Sequence, residues 1–81
     1  MTYEDLQPYS ATPEGLDELI ADVIGLRDYA GDPEAAHSEE DKIRHRVLLT
    51  IASGRLGRKG AQEFARVALG TSKIDFARWM A

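Results

Sequence analysis

Apolar side chains recur along this chain at helical spacing, and glycine or proline interrupts each run. Leu16, Leu19, Ile20, Val23, Ile24 and Leu26 share a stripe, while Glu14, Asp17, Glu18 and Asp22 cover the other face. Thr12-Pro13-Glu14 opens that run. A threonine hydroxyl can accept from an unpaired amide of the first turn, and proline suits the first helical position because its missing N–H needs no partner. Gly31 closes the run and Asp32-Pro33 starts a local turn, so the spacing predicts a helix over 13–30. A second helix is expected over 39–53. Ser38-Glu39-Glu40-Asp41 resembles a capping box, Ile43, Val47, Leu48 and Ile51 point inward, Glu40 precedes Arg44 by four residues, and Gly54 is the stop.

A third helix is expected over 61–69, with Phe64, Ala65, Ala68 and Leu69 apolar and Gly70 at its end. Thr71 or Ser72 then caps a short fourth helix over 73–80 carrying Ile74, Phe76, Ala77, Trp79 and Met80. No stretch alternates at period two, so no sheet is expected. The prediction is an all-α, single-domain bundle of about four helices over 13–81, preceded by an extended arm over 1–12. In the arm, Tyr3, Leu6 and Tyr9 have no helix to belong to. They either fold back over the bundle or meet a partner.

Length sharpens this picture. A chain of 81 residues buries roughly 60–65% of its unfolded surface, so its core is small and can be completed by a partner or by self-association. There is no cysteine, hence no disulfide framework or zinc-thiolate site. No apolar run approaches the ~20 residues that span a bilayer. The acidic start, Met1-Thr2-Tyr3-Glu4-Asp5, is unlike a signal peptide. A cytoplasmic protein without membrane contact is the plain expectation.

Charge adds an asymmetry. Residues 1–41 hold twelve carboxylates and one base, Arg27; residues 42–81 hold nine bases and two acids, Glu63 and Asp75, within a net charge of −4. Two charged surfaces are therefore candidates for partner contact: the acidic face Glu14, Asp17, Glu18 and Asp22, and a basic set of Arg55, Arg58, Lys59, Lys73 and Arg78. Three of these bases sit in Gly54-Arg55-Leu56-Gly57-Arg58-Lys59-Gly60, read as a basic glycine loop. That loop lacks the lysine-serine/threonine end of a nucleotide-binding loop. The favoured reading is a solvated connection whose cations pair with acids of the first helix.

Chemistry is sparse. His37, Asp41 and His45 stand at successive steps of four and could line one stripe able to ligate a metal, but a helix beginning near Ser38 breaks that stripe. There is no nucleophile-elbow motif, and the carboxylates fall on a solvated face. No enzyme activity, cofactor or metal site is expected.

Two resemblances bear on function. Gln62-Glu63, Leu69-Gly70, Ser72, Phe76 and Arg78-Trp79 resemble the helix-turn-helix of phage-repressor-type regulators, in which Gly70 would make the turn and helix 73–80 would read DNA. The match departs at Arg66, where that family holds a small buried residue, and at Thr71, where it holds an aliphatic one. Glu40-Asp41-Lys42 through Ile51-Ala52-Ser53-Gly54, and Ile74 through Ala81, are similar to short uncharacterised proteins of high-GC Gram-positive bacteria and their phages. That likeness implies a small helical protein that binds a host protein. The expected function is thus a protein–protein interaction module, with a DNA-binding regulator using residues 61–80 as the alternative and self-association as a further possibility.

Overall fold

The computed structural model describes residues 5–74. Among these, three α-helices and two single 3₁₀ turns account for the regular structure, and there is no strand. The chain is a small all-α domain. The first helix, α1, runs Pro13–Gly25. Thr12 caps it as the sequence predicts: its backbone is extended and its hydroxyl accepts from the Gly15 N–H at 3.2 Å. α1 ends earlier than residue 30, because Leu26–Tyr29 tightens into a 3₁₀ turn.

The second helix, α2, spans Pro33–Ala52, six residues longer at its start than expected from 39. Asp32 is the cap, its Oδ1 accepting from the Ala35 N–H at 3.2 Å, and Pro33 takes the first position. Asp32-Pro33 thus repeats the logic of Thr12-Pro13. Ser38-Glu39-Glu40-Asp41 is not a capping box but lies in the helix interior. There Glu40 is buried and its carboxylate meets Arg44 at 3.7 Å, the anticipated pair. Ile43 and Val47 face inward and Ile51 is half-buried, but Leu48 is 64% exposed. The inward face is phased by Ala36, Glu40, Ile43, Val47 and Thr50, and Leu48 lies one step of ~100° beyond Val47.

The third helix, α3, spans Gly57–Leu69 rather than 61–69. The basic glycine loop therefore shrinks to a tight link. Gly54 and Gly57 have φ of 74° and 68°, the left-handed region that glycine enters without strain, and Gly57, Arg58, Lys59 and Gly60 form the first turn of α3. α3 gives way at Gly70 to a second 3₁₀ turn, Gly70–Lys73. Ile74 is extended (φ −80°, ψ 125°) and buried, so no helix starts at Lys73. The remainder of the expected helix 73–80, with Phe76, Arg78 and Trp79, lies outside the described residues.

The core joins Leu19, Val23 and Leu26 to Ala36, Ile43 and Val47 and to Phe64, Ala68 and Ile74, with Leu16, Ile51, Leu56 and Val67 at its edge. The arm belongs to this core through Tyr9, 2% exposed. Its ring lies 6.5 Å from that of Phe64 and directly under the Arg46 guanidinium, 3.9 Å from the ring centre. Its amide donates to Thr50 Oγ1 at 2.8 Å, and its hydroxyl donates to Asp22 Oδ2 at 2.7 Å. Burial, reinforced by that bond to a carboxylate, pushes the phenol's pKa well above its ordinary value. Arg46 Nε also donates to the Gln7 carbonyl at 2.8 Å. One aromatic side chain and a few polar bonds thus hold residues 6–12, which lie outside any helix, against α1 and α2.

Candidate interaction surface

The acidic face of α1 divides in two. Glu18 and Asp22 turn toward α2 and share Arg46, at 3.3 and 3.4 Å. Exposed pairs of this kind contribute about 0.2–1 kcal/mol each, so they orient more than they stabilise. Glu14 and Asp17 are exposed, and no ion pair engages them among the described residues. Part of the charge asymmetry is therefore neutralised inside the monomer. The base that does so is Arg46 of α2, not the cations of the 54–60 stretch.

The basic set divides as well. Arg55, Arg58 and Lys59 cluster around the α2–α3 link and the first turn of α3, all exposed. Lys73 stands beyond the other end of α3, about 20 Å away along the helix at 1.5 Å per residue, and Arg78 is outside the described residues. The expected pairing of the 54–60 cations with acids of α1 does not form. Cations in the first turn of α3, with no acid and no side-chain cap there, run against the usual preference of a helix start for negative charge.

The histidine stripe is continuous after all, because α2 begins at Pro33. His37 Nε2 meets Asp41 Oδ2 at 3.3 Å, and His37 Nδ1 is buried without a hydrogen-bond partner. No group of three histidine, cysteine, aspartate or glutamate side chains among the described residues is arranged to hold a metal ion. The cleft beside Tyr9, about 450 Å³, brings Asp22, Asp28, Glu39, Lys42 and Arg46 together. Its cations are already matched, Lys42 to Glu39 at 3.1 Å and Arg46 to Asp22, so among the described residues the cleft has no free cation for an anionic ligand.

The surface that sequence spacing missed lies on the far side of α2. A shallow groove of about 290 Å³ runs between α2 and α3, lined by Val47, Leu48, Ile51, Ala65, Ala68 and Leu69, with Arg44 at one end. The alanines of α3 make a low floor. Leu48 and Leu69 stand 64% and 67% exposed on its walls, the most exposed large apolar side chains among the described residues. Arg44 is positioned there by two partners, Glu40 and the hydroxyl of buried Thr71, to which its Nε donates at 3.1 Å. The adjacent pair Leu48-Leu49 was the available signal, since consecutive helical residues lie ~100° apart and cannot share one buried direction.

No family model matches the chain, and neither a curated protein nor a solved structure does. No helix among the described residues is long and apolar enough to cross a membrane.

Proposed function

We propose that this protein is a small protein–protein interaction module working in the cytoplasm. Its likeness to short phage-related chains makes a host protein the natural target. The observation that supports this reading is the α2–α3 groove. An 81-residue domain has little apolar surface to spare, yet it leaves two leucines standing over a floor of alanines at the side of a helix pair. Contiguous exposed apolar surface of this sort marks an interaction site. The charges without an ion pair among the described residues set orientation around it: Arg55, Arg58 and Lys59 at the α2–α3 link, Glu14 and Asp17 on α1.

Affinity capture from a bacterial lysate tests the proposal when wild type is compared with two variants. Leu48→Gln/Leu69→Gln should lose the retained proteins, and Glu14→Lys/Asp17→Lys should weaken their retention in a salt-dependent way. If all three proteins retain the same set, the reading is wrong. The competing reading is a DNA-binding regulator using residues 61–80. The exposed cations Arg58, Lys59 and Lys73, which have no ion pair among the described residues, favour it; the extended Ile74 removes the expected start of its reading helix. Duplex binding that weakens as salt rises, and that Arg58→Ala/Lys59→Ala abolishes, would establish it instead.

A further inference from the structure

We propose that the occupant of the α2–α3 groove is the outer face of α1 from a second copy of this chain. The inference rests on reading the groove as a contact surface, and it names what fills it. The chain carries a second exposed apolar feature, a ridge on α1 made by Ile20 (38% exposed) and Ile24 (54% exposed). These residues stand four apart, so they lie one above the other on the same helical face. Asp17 precedes them at steps of three and seven, which places it on the same ridge. Among the described residues, ridge and groove are where large aliphatic side chains of the helices are left exposed.

Their charges are opposite. α1 holds Glu14, Asp17, Glu18 and Asp22 and no base. α3 holds Arg58, Lys59 and Arg66 against Glu63 alone, and Arg44 closes the end of the groove. Among the described residues no ion pair engages Glu14 or Asp17, the acids on and beside the ridge, and they can meet the bases of α3; Arg44 is already held by Glu40 and Thr71. The contact cannot be satisfied within one molecule. α1 packs into the core through Leu19 and Val23, so Ile20 and Ile24 point away from it.

Charge also disfavours groove on groove, which would bring the base-rich α3 of one copy against that of the other. Ridge into groove joins unlike patches; two copies can exchange it reciprocally about a two-fold axis, and where a single seam joins them the contact is heterologous, head-to-tail. Such a contact leaves one ridge and one groove open after each addition, and it ends only if the rotation closes a ring.

Sedimentation velocity over a concentration series tests this with a groove variant, Leu48→Gln/Leu69→Gln, and a ridge variant, Ile20→Gln/Ile24→Gln. Wild type should gain mass with concentration, less so at high salt. Each variant alone should stay at the mass of one chain. Mixed, the two should form a one-to-one pair and nothing larger, because each contributes the patch the other lacks; that pairing also shows that both are folded. A wild type that keeps the mass of one chain at every concentration overturns the proposal, even if it captures a foreign protein through the groove. So does a ridge variant that assembles like wild type, which would point to groove on groove.

Discussion

The two long sides of α2 are finished differently. On one side the arm lies across the helix, and Tyr9 seals the seam with α1 at 2% exposure, hydrogen-bonded to Asp22 and Thr50 with the Arg46 guanidinium over its ring face. On the other side α2 meets α3 over alanines, and Leu48 and Leu69 are left two-thirds exposed. The sealed side uses irregular backbone and polar anchors to cover apolar surface. The open side has regular helices and, among the described residues, no cover. Regular secondary structure is therefore no guide to which side of this molecule is complete.

That contrast predicts a steep ranking of substitutions. The largest effect is expected at Tyr9→Ala, which empties an aromatic site in a small core and frees the arm. It should cost about 3–5 kcal/mol in denaturant unfolding, enough to unfold much of a domain whose total stability is on the order of 5–15 kcal/mol. Tyr9→Phe removes only the hydroxyl and should cost about 1 kcal/mol. If Tyr9→Ala proved as mild, the arm would be an accessory and not part of the core.

A smaller loss is expected at Gly15→Ala. Alanine is normally worth about 1 kcal/mol over glycine inside a helix. Here a β-carbon would overlap the Ser10 carbonyl oxygen where the arm crosses the start of α1. The arm must shift, and a net loss of about 1–3 kcal/mol should follow. Gly25→Ala, at the other end of the same helix, has nothing within 4 Å of its added carbon and should gain stability. Thermal melts of the two variants moving in the same direction would mean that the arm does not press on α1.

The smallest effect belongs to the open side. Leu48→Gln and Leu69→Gln should each change stability by no more than about 0.5 kcal/mol, since exposed positions outside special contacts rarely do more. A large loss at either leucine would show that the groove is covered within the monomer.

Much of the fold was legible because it depends on neighbours in sequence. Thr12-Pro13 gave the start of α1, Leu19 and Val23 its buried stripe, and Phe64 and Ala68 that of α3. The start of α2 was misplaced because two signals competed. Ser38 with three following acids has the composition of a helix start, while Asp32-Pro33 has the geometry, and a long helix can carry capping residues in its interior. The candidate surfaces were less legible. That Glu18 and Asp22 would be consumed by Arg46 depends on residues 24 and 28 positions apart. The groove is a property of two helices side by side, and no single helix displays it.

The position of Tyr9 also has a consequence in time. Its amide meets Thr50 across 41 residues, and its ring meets Phe64 further along still. During synthesis Tyr9 leaves the ribosome before any of these partners has been made. At 5–20 residues per second, a rate typical of translation, the arm waits on the order of seconds with its aromatic ring unburied. α1 can form early from local contacts. The arm can close only after α2 and α3 have been added, so the part of the domain made first is among the last to be assembled.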